Sequence, residues 1–485
     1  MHSETPDILS FTSPVKYDVL TDEQLGTLKE GTLHLLEEVG VRFPSQIALQ
    51  TFADHGAHVD WENEIVRISP DLVERAMSTA PRSFVLGGRQ ERFDLTLDGS
   101  CSYLATDGCD VRVMDLESRK VRPSRKEDVA QMAKVCDALP LISFFWPLVS
   151  AQDFGVTAPL HECHAGLTNT LKHVRGGTTV HPQLATYIVE MGTVVAGSEI
   201  ERRNRSPVCA NICTIAPLAH DVNGIESALV YAEAGIPTSF MAMPTMGSTA
   251  PATPMGALVS GDAEVVSAMV LIQLAYPGAP VFHSNYISLM DPRTGGYISD
   301  TSIPLVIMAA QMAHAWNVPT LGGGSVSSDG NDIGWQSGSK SGIGAIIVPL
   351  AGGEICGYLG MLDGSMLLYP EQVILDHEVC LEAYNYFRRY DFDVSDLALD
   401  VIANVGPGSH FLMQKHTREH IRDFRLSPIL HNRGSDGRAL EPQEAALAEF
   451  KRIDQTHQPE PLPQEKLLEL DRIIAAAERE AEKIG

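Results

Sequence analysis

The sequence predicts an α/β protein: a TIM-type (β/α)8 barrel preceded by a helical and small-β extension and followed by further helices. Three observations carry this. From about Phe144 strand-like apolar runs alternate with helical ones, the rhythm of parallel βα units. Most of those runs pass directly into Gly, Ser, Thr, Asn or Pro, which gathers polar loops at one face. The segment Val318-Pro319-Thr320-Leu321-Gly322-Gly323-Gly324-Ser325-Val326-Ser327-Ser328 shows it most sharply. An apolar run stops at glycines and turns polar, delivering bare backbone to the face where such proteins bind ligands. A doubly wound open sheet is the structural alternative, but no GxGxxG opens a helix after a first strand.

Three regions are expected: an extension over 1–140, the barrel over 141–410 and a C-terminal helical extension over 411–485. In the first, Asp22-Glu23-Gln24-Leu25 opens a helix through Leu28, Leu35, Leu36 and Val39, and Ser69-Pro70-Asp71 has helix-start chemistry. Ser83–Gly88, Phe93–Leu97 and Val111–Asp115 read as short strands, and Ser124-Arg125-Lys126-Glu127 as a capping-box-like start. The barrel strand candidates are Phe144–Val149, His173–Gly176, Val208–Thr214, Thr238–Met243, Pro280–Asn285, Thr320–Gly324 and Glu354–Met361; these are seven, with the eighth unplaced. Helices are expected over Val222–Ala234, Ala257–Ala275, Ile303–Trp316 and Ser341–Ala351, then over Glu371–Phe387 and Leu397–Val405. The proline-rich Gln458–Pro463 is a stiff connector to a terminal helix, Glu465–Ile484, whose Leu467, Leu470, Ile473 and Ile474 share one face.

Composition narrows the class. The 485 residues are 44% hydrophobic, enough for a large core, and carry a formal charge of −26 from 36 basic and 62 acidic side chains. That balance argues against nucleic acid or an anionic membrane as partner and suits a cationic or zwitterionic small molecule. No secretory signal follows Met1, and no apolar run approaches the ~20 residues of a membrane span, so a cytoplasmic protein is expected. The eight cysteines are scattered without a CxxC pair, as buried thiols in a reducing compartment would be.

Several segments together resemble the trimethylamine methyltransferase superfamily of corrinoid-dependent enzymes. They include Gly247–Thr253 before the long helix, Tyr276–Val281, the glycine-rich strand end, Gly360–Gly364 with Tyr369–Gln372, and Asp400–Gly408 with His410-Phe411-Leu412. Glu37–Val41, Ala80–Phe84 and Thr456–Pro463 extend the likeness over nearly the whole chain. Archaeal members that demethylate trimethylamine carry pyrrolysine in a segment like Gly323–Val326, and the matching position here is Gly324. The resemblance therefore points to the non-pyrrolysine branch, whose members demethylate quaternary amines such as glycine betaine. It implies methyl transfer from a small quaternary amine to the Co(I) of a corrinoid held by a separate small protein. No cofactor is then bound tightly by this chain, no metal site is implied, and a homo-oligomer is expected. Ser339 replaces an acid within Asp332–Lys340, with altered spacing, and Asp363 stands where glutamate is usual; both imply a reshaped pocket.

A quaternary ammonium leaves as a neutral amine, so no general acid is required. The protein must hold the cation, aim one methyl group and exclude water. Aromatic faces suit the cation, and Tyr103, Phe145, Trp146, Phe282, Tyr286, Trp335 and Tyr358 lie at strands or loops; Phe145 and Phe282 fit core packing equally well. For a substrate carboxylate the donor candidates are His161, His173, Arg175, His283, Asn285, Gln336 and His410, with Glu162 and Asp363 available to the ammonium. Two rival readings stay open. One is a barrel of other chemistry, such as a zinc-assisted methyltransferase or a lyase, for which His161-Glu162-Cys163-His164 and His410…His416…His420 supply ligand types without a closed zinc spacing. The other is a quaternary-amine-binding protein without turnover.

Overall fold

A computed structural model describes residues 4–13, 15–108, 110–176, 181–298, 303–322, 330–387, 392–423, 427, 429–433 and 436–484. Its centre is a closed parallel barrel. The strands are β1 (Tyr103–Thr106), β2 (Ile142–Phe145), β3 (His173–Arg175), β4 (Val208–Cys213), β5 (Thr238–Ala242) and β6 (Val281–Asn285), then the short β7 (residues 320–321) and β8 (Ile355–Leu359). Seven of them form one sheet in the order β6-β5-β4-β3-β2-β1-β8. The segment β7 closes the ring, with Thr320 bridging to His283 and Leu321 to Ile355.

The strand that sequence could not place is therefore β1. It lies in the stretch assigned to the N-terminal extension and pairs with β8, far along the chain, and with β2. Each strand is followed by a helix: α1 (Lys126–Asp137), α2 (Ala158–Asn169), α3 (Pro182–Ala196), α4 (Val222–Ala234), α5 (Pro254–Ala275), α6 (Ile303–Ala315), α7 (Trp335–Ala351) and α8 (Gln372–Phe387). Local chemistry sets several ends. Asp221 accepts from the Gly224 N–H to start α4, and Gly235, with a left-handed φ of 73°, ends it. At α1 the expected box shifts by one residue: Asp128 accepts from the Arg125 N–H, while the Ser124 hydroxyl donates to the Ser150 carbonyl. Helix α7 begins at Trp335, six residues before its expected start at Ser341.

Helix α5 corrects one expectation. Its 22 residues are long and apolar enough to cross a membrane, yet 83% of its most apolar window is buried inside the protein, where it packs on β5 and β6. Both of its carboxylates are buried and engaged: Asp262 accepts from Trp316 Nε1 at 3.0 Å, and Glu264 accepts from the Leu218 N–H at 3.0 Å.

Two small sheets give the barrel a closed and an open end. The hairpin Phe84–Leu86/Leu95–Leu97 plugs the N-terminal end, where Leu86, Leu95 and Leu97 share a buried cluster with Phe144, Cys209, Phe282 and Ile355. Phe84 stacks on Phe282 at 5.4 Å. At the other end Arg112–Met114 pairs with Val121–Pro123 and with Leu367–Leu368, linking the loops after β1 and β8. The terminal helix Gln464–Ile484 packs on α2 and α3 of its own chain, and Pro442–Thr456 packs on α1 and α8. The short elements Val394–Leu397, Leu399–Val405 and Lys415–His420 bury none of their residues.

Candidate functional site

Side chains alternate along each strand, so register decides which reach the barrel interior. His173 pairs with Phe144 and Val174 with Phe145; one step further, Trp146 stands beside Arg175. Arg175 pairs with Cys209, Asn211 with Ser239, Cys213 with Met241, and Met241 with Ser284. The inward set thus turns polar toward the C-terminal ends of the strands. Arg175 is 4% exposed, and its Cζ lies 3.6 Å from the Trp146 ring centroid, a desolvated cation–π contact.

The loop leaving β1 completes the mouth. Gly108 runs against β2's continuation so closely that a Cβ there would meet the Leu148 carbonyl oxygen at 2.3 Å. The contact fixes Asp107 and Asp110 on either side: the Asp110 N–H donates to Leu148 O at 3.0 Å, and the Ser150 N–H donates to Asp110 O at 2.9 Å. Burial pushes the Asp107 carboxyl up to about 7, against the pull of Arg175 and the Gly108 N–H. Asp110 is fully buried, and among the described residues neither of its carboxyl oxygens has a hydrogen-bond partner. Burial, then the charges of Asp107 and Asp363, push it well above the ordinary carboxylate range. The mouth therefore offers two buried acids beside one guanidinium.

The structure distributes the sequence candidates unevenly. Trp146 and Arg175 come together inside the barrel. Tyr286 is buried just beyond β6, and its N–H donates to Ala242 O. Asp363 follows β8, takes a 2.9 Å contact from Arg112 and lies within electrostatic reach of Asp110. Tyr103 and His173 sit near the plugged end. His173 shares a 3.0 Å hydrogen bond with the Gly87 carbonyl, and burial pushes its pKa down to about 4, so it is neutral. His283 and Asn285 turn outward onto α5: His283 Nε2 lies 2.8 Å from Asp262, and Asn285 Nδ2 donates to Leu258 O at 3.0 Å. Phe145 also faces outward, whereas Phe282 lies inside.

Trp335 is 91% exposed, and Gln336 and His410 are exposed as well. His161 stacks on Phe154 beside Lys126 and is neutral, its pKa lowered to about 3 by burial and by that lysine. Glu162 is raised by burial and accepts from the Ala151 N–H at 3.1 Å. Among the described residues no group of three or more His, Cys, Asp or Glu side chains is placed to share a metal ion. Gly324 and the Tyr358 side chain lie outside the described residues, although the Tyr358 backbone belongs to β8. Sequence reasoning missed Asp107, Asp110, Asn211 and Ser239. The signal for the first two was the strand-then-polar pattern of Tyr103–Asp110, the same one used elsewhere.

A closed (β/α)8 barrel with one plugged end thus sets two buried acids and a guanidinium at its open mouth. The comparisons with known proteins define the class. The chain belongs to the trimethylamine methyltransferase family, whose model, Trimethylamine methyltransferase (MTTB), matches residues 5–482, and it is accordingly a methyltransferase. It is 29% identical over 468 residues to the trimethylamine methyltransferase MttB of Desulfitobacterium hafniense strain DCB-2, covering 95% of this chain and 94% of that one. It is also 29% identical over 477 residues to the glycine betaine methyltransferase of Desulfitobacterium hafniense strain Y51, covering 96% and 98%. The fold is shared with the solved monomethylamine methyltransferase (MtmB) of Methanosarcina barkeri, at a TM-score of 0.51 and 13% identity over 98% of this chain and 90% of that one.

Proposed function

We propose that this protein removes a methyl group from a small quaternary amine, glycine betaine first among them, and passes it to a corrinoid presented by a separate protein. The observation that supports a cationic ligand is the fully buried Asp110 carboxyl, without a hydrogen-bond partner among the described residues, beside Asp107 at the barrel mouth. Unsatisfied buried acids are costly, and a cationic ligand relieves that cost. The glycine at the position matching pyrrolysine supports a quaternary donor, since glycine offers no electrophile to a tertiary amine.

The corrinoid, acting as cosubstrate, supplies a Co(I) electron pair strong enough to accept a methyl group. Every other task falls to this chain. The acids at the mouth hold the ammonium in a water-poor site, and the strand ends fix its orientation so that one methyl points outward along the barrel axis. As that carbon–nitrogen bond breaks, its electron pair returns to nitrogen and a neutral tertiary amine remains, so neither Asp107 nor Asp110 donates a proton to the leaving group.

The test is product identification. Glycine betaine labelled in all three N-methyl groups, incubated anaerobically with the protein and reduced corrinoid, is expected to yield dimethylglycine and an equal amount of methyl-labelled corrinoid. Unchanged betaine under conditions where the protein is folded overturns glycine betaine as the donor, and no demethylation of any small quaternary amine overturns the proposal.

A further inference from the structure

Among the described residues, three buried polar groups on the inward strand faces lack a hydrogen-bond partner, Trp146 Nε1, Asn211 Oδ1 and the Ser239 hydroxyl, and a fourth, His173 Nε2, does so nearer the plugged end. Nearly all buried polar atoms in folded proteins are satisfied, so three on the inward face of neighbouring strands call for an explanation. Register places them together. Trp146 stands beside Arg175, Arg175 pairs with Cys209 two residues before Asn211, and Asn211 pairs with Ser239. The guanidinium over the Trp146 ring also lies within electrostatic reach of Cys213 and Asp107, so it extends past Asn211 toward the mouth.

We infer that Arg175, Trp146, Asn211 and Ser239 form an anion subsite within the barrel for the carboxylate of a zwitterionic methylated amine, whose ammonium then lies toward Asp107 and Asp110. The inference rests on the proposed methylated-amine reading of the mouth and adds which end of the molecule enters first. A guanidinium, an indole N–H and a hydroxyl are all donors a carboxylate accepts from. The Asn211 amide joins them by a flip that brings Nδ2 inward; its present Nδ2 contact, to Cys213 Sγ at 3.9 Å, is weak.

The charge layout then discriminates between amines. A guanidinium set among Trp146, Asn211 and Ser239, with Asp107 and Asp110 beside it on the loop leaving β1, matches a molecule with its carboxylate and ammonium a few bonds apart. A simple cation such as tetramethylammonium uses only the acidic half and gains nothing from Arg175. The arrangement also orients a betaine with its methyl groups toward the open end, where a second protein has access.

The experiment is direct binding, by calorimetry on the full chain without corrinoid, using glycine betaine and tetramethylammonium as probes. The wild type is expected to bind glycine betaine more tightly. Arg175→Gln is expected to weaken glycine betaine roughly 10- to 100-fold and to leave tetramethylammonium within about twofold. Trp146→Phe keeps a ring beneath the guanidinium but removes the N–H; it is expected to weaken glycine betaine alone, by about fivefold, and carries the test if Arg175→Gln does not fold. Equal losses for both probes, or none, overturn the subsite. Tetramethylammonium binding without glycine betaine binding overturns the subsite and leaves the methylated-amine reading standing; binding of neither overturns both.

Discussion

Replacing Asp137 should loosen the strand that presents Arg175. Asp137 ends α1 and is fully buried. Its Oδ1 accepts from Thr170 Oγ1 at 2.8 Å and from the Leu171 N–H at 2.7 Å, while its Oδ2 meets Thr5 Oγ1 at 2.5 Å and His457 Nε2 at 2.7 Å. One carboxylate thus ties the N-terminal segment, the loop entering β3 and the C-terminal connector to the barrel. Burial alone raises such a group, but the His457 hydrogen bond, the Lys172 charge and the Thr5 and Leu171 donors outweigh it and hold Asp137 below the ordinary range. Asp137→Ala strands the Leu171 N–H and leaves the buried Lys172 without its counter-charge, a loss of about 3–5 kcal/mol. Asp137→Asn keeps two acceptor positions and lets the Thr5 hydroxyl rotate to accept, so about 2 kcal/mol is expected. Because the folded pKa is depressed, this stabilisation is present at neutral pH and is lost only as acid titrates the carboxyl. Denaturant and thermal midpoints should fall in the order wild type, Asn, Ala, with hydrogen exchange accelerated at Thr170–Leu171 and along Gln464–Ile484. An Ala variant as stable as the wild type near pH 7 would refute the reasoning.

Three further outcomes follow from the mouth and its surroundings. Gly108→Ala drives a Cβ into the Leu148 carbonyl and must displace Asp107 and Asp110; betaine affinity should fall at least tenfold, measured by calorimetry, with only a modest change in thermal midpoint. The Asp107 carboxyl, raised to about 7 by burial, loses its charge as pH falls through that value. Affinity for a quaternary ammonium should therefore decline below pH 7, and Asp107→Asn should flatten that inflection. Trp335→Ala, at a side chain 91% exposed, should change stability by less than about 0.5 kcal/mol and leave amine binding unaltered in the same titration.

Much of this fold was legible in local chemistry, and less of the site. Helix α4 was read end to end because Asp221 and Gly235 mark its limits. The strand β1 was not recognised as part of the barrel because its pairing with β8 is a long-range closure that no local pattern records. The site suffered from a different cause. Both faces of a parallel barrel strand are buried, so β6 reads as a continuous buried run, and nothing in Val281–Asn285 says that Phe282 and Ser284 face in while His283 and Asn285 face out. Only register with β5 decides it. Trp335 illustrates the converse: its polar neighbours suggested a loop over the site, but they open a helix whose first residue points into solvent.

The most direct test of the central claim is the anaerobic loss of Co(I) absorbance when the protein, reduced corrinoid and a single amine are mixed. Glycine betaine is expected to discharge the Co(I) signal at a protein-dependent rate while trimethylamine leaves it unchanged. Equal rates with both amines, or discharge by trimethylamine alone, would contradict the account.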